Sequence, residues 1–496
     1  MPETFDVVET TIRTIQDAMA RGTVTSEQLV QTYLERIASY DKGGLRLNAV
    51  LEINPDALFI ARAMDQERRL TGPRGPLHGI PLLIKDNIDT HDKMHTSAGS
   101  LSLATSVAPR DACIVQRLRA AGAVILGKAN MTEFANFMTE HMPSGYSSRG
   151  GQVHNPYMPG KLTPSGSSSG SAAAVAANLT AVAVGTETSG SILSPANNCS
   201  VVGIKPTVGL VSRTGIIPIA MSQDTAGPLA RTVADAATLL TVLAGVDPDD
   251  PATWSADGHL GDYTRFLDAG GLRGARLGIA RGALYERLDD ERRKLYDDAI
   301  AALQAAGAEL VDLVTWPVTR WESKVLTYEF KSALNAYLSA LGPNAPVHSL
   351  KEIIEFNNAH PETTLKYGQT LLTASEATSG TLTEPEYLLS RLEDIRLAGA
   401  EGIDAALNQN KLVALVTPES RGCWVGARAG YPSIIVPAGY TSAGRPMGVT
   451  FAGRAWSEGE LTRVAYAFEQ ATKRRLPPDL SSTVPTPTDA PPPEDW

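Results

Sequence analysis

Two clusters of small residues decide how this chain reads: Pro164-Ser-Gly-Ser-Ser-Ser-Gly-Ser171 and Gly185-Thr-Glu-Thr-Ser-Gly-Ser-Ile192. An Ala-rich run over 170–179 has helical character, and a short apolar run over 180–185 reads as a buried strand. The first cluster runs directly into the helix. Backbone N–H groups at a helix start suit anionic or polar partners, although a Ser/Gly cluster is also what a flexible loop looks like. The second cluster follows the strand-like Ala181–Val184 and turns sharply. A serine after such a turn exposes its Oγ while successive N–H groups face one point, as an oxyanion hole requires. An ordinary strand-to-helix turn explains that cluster equally well.

Gly166-Ser-Ser-Ser-Gly170 also matches GxSxG, centred on Ser168. A nucleophile elbow of that type needs a strand immediately before it. The preceding Tyr157-Met-Pro-Gly-Lys-Leu-Thr-Pro164 carries two prolines and a glycine, which argue against a strand. Lys85 offers a different chemistry. It ends the apolar run of Gly79-Ile-Pro-Leu-Leu-Ile-Lys-Asp-Asn87. A lysine at a strand end ordinarily keeps its amine in water. Held in a dry pocket it sheds its proton more easily and serves as a base. Bringing its pKa from ~10.4 to near neutrality costs roughly 4 kcal/mol, which a closed site with hydroxyl partners supports.

The rest of the composition narrows the function classes. The chain has 496 residues, 43% hydrophobic and 20% charged, ample for a large core. A formal net charge of -10 argues against a general nucleic-acid binder. Three cysteines, Cys113, Cys199 and Cys423, show no CxxC spacing, so neither a disulfide framework nor a metal site is expected. His91 and His95 lie in a loop-like stretch and read as solvated or hydrogen-bonding side chains. The start of the chain lacks the pattern of a signal peptide, and no apolar run reaches the ~18 residues of a membrane span. A cytoplasmic protein without membrane contact, monomeric or homodimeric, is the expectation.

Strand-like and helix-like segments alternate along the chain. Two amphipathic helices span 10–41, with a capping box at Thr25-Ser-Glu-Gln28. Strands are expected near 77–85, Ala123–Leu126, Val201–Lys205, Arg276–Ala280, Leu310–Val314, Leu412–Thr417, Ser433–Pro437 and Met447–Phe451. Helices are expected at Ile114–Ala121, Ala230–Ala244, Glu291–Ala306, 321–341, 385–398 and Glu458–Thr472. The pattern implies an α/β class: a single large domain with a central mixed sheet covered by helices on both faces. Only the Pro-rich end, 481–496, reads as a loosely attached tail.

Taken together the motifs resemble the amidase signature family. Its pattern is a lysine in G-I-P-x-x-x-K-D, a G-S-S-G-type cluster, then G-T-x-T-x-G-S-I. All three occur here in order. Val202-Gly-Ile-Lys-Pro-Thr207 and Gln223-Asp-Thr-Ala-Gly-Pro228 look like family segments too. The resemblance implies an N-terminal helical segment over 1–75 and a signature core over 76–230. The same domain would continue over 231–480, with a helical insertion at about 320–400. It implies Ser191 as nucleophile, Ser167 as the bridging serine on a cis peptide, and Lys85 as base. The N–H groups of Thr188, Ser189, Gly190 and Ser191 would form the oxyanion hole, and Ser168 would place a hydroxyl beside the lysine. No cofactor or metal is implied, and the substrate would be a small amide, carbamate or short peptide amide.

Two departures stand out. Where the family often has Gly-Gly-Ser-Ile-Arg, this chain has Ser189-Gly-Ser-Ile-Leu193, and Glu187 stands where Asp is common. Glu187, Ser147-Ser-Arg-Gly-Gly-Gln152 and Val208–Pro218 look most like the peptide amidase branch, which removes C-terminal amides. Thr417-Pro-Glu-Ser-Arg-Gly-Cys-Trp-Val-Gly426 looks short for a segment that walls the site in that branch. The expectation is therefore an amide hydrolase whose more open pocket also takes aryl amides, carbamates or esters. A subunit of a tRNA-dependent amidotransferase is the alternative from another class.

Overall fold

The apolar run before Lys85 forms a strand buried at every residue, as an interior parallel strand must be. The computed structural model describes residues 5–313 and 321–481. Its strands in chain order are β1 Val50–Ile53, β2 Pro81–Lys85, β3 Val124–Ala129, β4 Tyr146–Ser147, β5 Gly151–Gln152, β6 Val182–Glu187, β7 Val202–Lys205, β8 Thr225–Ala230, β9 Arg276–Ala280, β10 Glu309–Leu313, β11 Ala414–Pro418, β12 Ser433–Tyr440 and β13 Pro446–Ala452. Eleven of them make one sheet, in the order β1-β3-β2-β6-β8-β7-β12-β13-β11-β9-β10. β3, β2 and β6 run parallel, as do β11, β9 and β10. The strands between these two groups pair antiparallel, so the sheet is mixed. This is the single α/β domain with a mixed sheet that the alternation implied.

The boundaries expected from periodicity hold to within a few residues for most elements. Thr25 and Gln28 form the reciprocal capping box that starts the helix Ser26–Arg36. Three differences have physical causes. The helix expected from Ala230 starts at Val233, because Thr225–Ala230 is β8, antiparallel to β6. Its Gly227-Pro228 pair disguised a strand, since neither residue favours one. Between β1 and β2 lies the helix Ala57–Thr71, absent from the reading of the pattern. The helix expected over 385–398 is α-helical at Pro385–Asp394 and continues as π-helix to Asp404. Val314 and the tail from 482 onward lie outside the described residues.

The Ala-rich helix Ser169–Ala176 is buried at every position and packs onto β6, β8 and the strands around β2. Small side chains let it approach so closely that a Cβ on Gly170 would sit 2.3 Å from the carbonyl oxygen of Ala49. Between β10 and β11 the chain forms the helices Val325–Ala340, Leu350–Ala359 and Thr370–Glu376. These bury a second apolar cluster against Phe134, Phe137, Ile217 and Ile219. Among the described residues no helix is long and apolar enough to cross a membrane.

Candidate active site

Lys85 closes β2 with its side chain wholly buried. Its Nζ lies 2.7 Å from Ser167 Oγ, 2.9 Å from Thr186 Oγ1 and 3.3 Å from the Thr186 carbonyl oxygen. β2 and β6 are parallel neighbours, which brings residues 101 positions apart into contact. Burial pushes the lysine pKa down to about 7, against the pull of Asp224 and Glu187, which favour its charged form. Asn87 Nδ2 also donates to Thr186 Oγ1, at 3.0 Å.

Ser167 follows a cis peptide bond from Gly166. Ser168, the centre of GxSxG, points elsewhere: its hydroxyl donates to the Thr186 carbonyl at 3.0 Å and accepts from the Thr186 N–H at 3.2 Å. No strand precedes it. Ser168 therefore ties the start of the Ala-rich helix to β6, on the strand residue that also holds Lys85. β6 can pass this close because residue 185 is glycine; a Cβ there would lie 2.7 Å from Ser168 Oγ.

Beyond β6 the chain turns through Thr188, Ser189, Gly190 and Ser191. Gly190 has φ +85°, and a Cβ on it would meet Cys423 Sγ and Ser194 Oγ at 3.0 Å. The turn therefore requires glycine at that position. Glu187 organises its far end: Oε2 accepts the N–H groups of Ile192 at 2.8 Å and Leu193 at 3.0 Å. Among the described residues no acceptor takes the N–H of Thr188, Ser189, Gly190 or Ser191. Four backbone donors are thus left beside the Ser191 hydroxyl. The Ser191 carbonyl accepts from Ser168 N at 3.1 Å, which links the two clusters.

The departures at 189 and 193 have distinct outcomes. Ser189 is exposed while its neighbours on both sides are buried. Leu193 is fully buried in the main core, a place suited to an aliphatic side chain. The segment 417–426 lies against the turn, through Cys423 at Gly190 and through Ser420 Oγ, 3.0 Å from Ser194 Oγ.

Sequence reading missed three contributors. Thr186 supplies two of the three acceptors around Lys85. Asp224 accepts the Thr188 hydroxyl on Oδ1 and the N–H groups of Ile219 and Ala220 on Oδ2, while burial raises its own pKa to about 6. Gln223 Nε2 donates to the Thr188 carbonyl at 3.1 Å. All three stand inside quoted motifs, but motif position says nothing about which side chain faces the lysine. A recess lined by Asn87, Thr186, Thr188, Ile217, Ile219 and Asp224 opens next to them. The histidines lie in other contacts: His95 pairs with Glu52 at 2.9 Å, and His91 Nδ1 lies 2.8 Å from the Ala108 carbonyl.

The whole chain resembles known hydrolases. It aligns with the structure of native peptide amidase from Stenotrophomonas maltophilia at TM-score 0.92 and 48% identity, over 96% of this chain and 99% of that one. A probable amidase of Arabidopsis thaliana is 45% identical over 492 residues, 96% of this chain and 93% of the relative. The amidase-like component of glutamyl-tRNA(Gln) amidotransferase from Chloroflexus aurantiacus is 43% identical over 313 residues, covering 63% of this chain and 61% of that relative. The amidase family model matches residues 28–462. With that match over most of its length, this chain belongs to the amidase family.

Proposed function

We propose that the protein hydrolyses carboxylic amides, peptide C-terminal amides among them, through an acyl-enzyme on Ser191. The observation that carries the reading is the buried Lys85 amine 2.7 Å from Ser167 Oγ, with a pKa brought to about 7. A neutral amine has two N–H groups and one lone pair. Thr186 offers two acceptors, so the lone pair is left for the Ser167 hydroxyl. In the proposed reaction Lys85 takes the Ser167 proton as Ser167 takes that of Ser191, whose Oγ attacks the amide carbon. The N–H groups of Thr188, Ser189, Gly190 and Ser191 hold the oxyanion. The relay returns the proton to the leaving nitrogen as the C–N bond breaks. Water then repeats the path, releasing the carboxylic acid and restoring Ser191.

Two finer readings differ in substrate. A shorter wall at 417–426 favours an open pocket that also takes anilides, carbamates and esters. Ser420 and Cys423 reach the nucleophile turn, which favours a closed wall and peptide amides. Purified protein assayed on a C-terminally amidated dipeptide, an anilide and a small carbamate separates them. Turnover of the dipeptide amide alone sinks the open-pocket reading. The amidotransferase reading rests on a similarity covering 63% of the chain, against 96% for the peptide amidase. Robust hydrolysis of simple amides by the isolated chain counts against it.

A further inference from the structure

We infer that Glu329, on a helix remote in sequence from every motif, is a positioning residue for the oxyanion hole. The inference rests on the roles proposed above for Ser191 and the Thr188 amide. Glu329 lies on the helix Val325–Ala340 and is 3% exposed. Both its carboxyl oxygens are engaged. Oε2 accepts the Ser222 N–H at 2.9 Å, and Oε1 accepts the Tyr387 hydroxyl at 2.8 Å from the helix Pro385–Asp394.

Ser222 is the middle of a tight turn, closed by the N–H groups of Gln223 and Asp224 on the Ala220 carbonyl at 3.0 and 2.8 Å. The two residues after Ser222 grip Thr188 at both of its oxygens: Gln223 Nε2 on the carbonyl, and Asp224 on the hydroxyl. A continuous line of polar contacts therefore runs from Tyr387 through Glu329 and the 220–224 turn to Thr188. Arg213 also reaches this turn, at the Met221 carbonyl, while paired with Asp250. Glu329 is the contact made from the helices between β10 and β11 onto the turn's central N–H.

Where this line ends determines what it does. Thr188 contributes a backbone donor, so displacing the turn misaims an N–H that matters most once the carbonyl oxygen carries charge. Ser191, Ser167 and Lys85 are held by β2, β6 and the Ala-rich helix, none of which Glu329 touches. Loss of Glu329 should therefore weaken transition-state binding while leaving substrate binding and proton transfer in place. A buried N–H left without its acceptor drives the displacement.

The test compares Glu329→Ala, Glu329→Gln and Tyr387→Phe with the unaltered protein and with Ser191→Ala, using the substrate turned over best in the panel above. Glu329→Ala should lower kcat about 10- to 100-fold, part of the loss from removing an oxyanion donor outright. KM and the midpoint of the acid limb of the pH profile should stay in place. Affinity for a peptide aldehyde, which forms an oxyanion on Ser191, should fall in parallel with kcat; affinity for the matching peptide alcohol should not. Glu329→Gln keeps an acceptor for Ser222 and a partner for Tyr387, and should restore most activity. Should Glu329→Ala not fold, Tyr387→Phe gives the same pattern at smaller amplitude. Unchanged kcat and aldehyde affinity in Glu329→Ala, a rise in KM alone, equal losses for aldehyde and alcohol, or a Gln variant as impaired as the Ala variant would each overturn the inference. Turnover retained by Ser191→Ala would instead overturn the reading on which it rests.

Discussion

Lys85 and Thr186 meet twice, the amine donating to the threonine hydroxyl at 2.9 Å and to its carbonyl at 3.3 Å. These two contacts fix the rotation of the amine, and hence where its remaining position points. Thr186→Val removes one of them without changing the backbone. We expect kcat/KM to fall about 10- to 100-fold, as for a misaligned general base, and Thr186→Ser to recover most of it. Equal loss in the serine variant would show that the methyl group, not the hydroxyl, matters.

The acid limb of activity should follow the lysine. Neutral Lys85 is the active form, so kcat/KM should rise as pH passes through about 7. Asp224 holds the lysine pKa up, so Asp224→Asn should move the limb to lower pH even as it lowers the maximum rate. A limb that moves upward, or not at all, contradicts the assignment of this limb to the amine.

The same burial has a cost in stability. The unfolded chain keeps a proton on this amine up to about pH 10.5, whereas the folded chain releases it near 7. Between those values the unfolded state binds more protons, so this group's contribution to stability improves as pH rises and is least favourable below 7. Lys85→Met should therefore be inactive yet melt higher than the unaltered protein at pH 7, with the gap narrowing toward pH 10. Parallel melting temperatures across that range would show that burial does not depress this pKa.

Two serines compete for the nucleophile's role. Ser191→Ala should abolish turnover, by at least about a thousandfold. Ser168→Ala breaks two buried contacts to Thr186 and should destabilise by about 1–3 kcal/mol, yet remain reactive. Intact-mass labelling with a sulfonyl fluoride and peptide mapping should place the adduct on Ser191 in both the unaltered and the Ser168→Ala protein. An adduct on Ser168 would reverse the assignment.

Gly190→Ala asks whether the turn's conformation matters to chemistry. At φ +85°, and with Cys423 Sγ and Ser194 Oγ 3.0 Å from the new Cβ, the turn must shift. A destabilisation of about 1–3 kcal/mol is expected, with a larger proportional loss of kcat than of folded protein. Circular dichroism melts beside steady-state rates measure both.

Much of this was legible in the residues. β2 and β6 read as buried runs because interior parallel strands carry apolar side chains on both faces. The helices Ser26–Arg36 and Glu458–Thr472 announced themselves by cap and period. β8 did not, since its Gly227-Pro228 is poor strand material that only the neighbouring strands hold extended. The prolines before the GxSxG serine argue against a strand there, and none forms, but the contacts of Ser168 with Thr186 are not part of any local pattern.

The sequence by itself determined the chemistry on offer: a lysine at the end of a dry strand, and two serine clusters separated by one helix and one strand. It also determined the α/β layering, because periodicity is a local property of the chain. Only the tertiary structure decided that Thr186 would hold the lysine, that Asp224 and Gln223 would grip Thr188, and that Glu329 would reach the turn between them. Those contacts join residues tens to more than a hundred positions apart. They depend on strand order and helix packing, which no local pattern encodes.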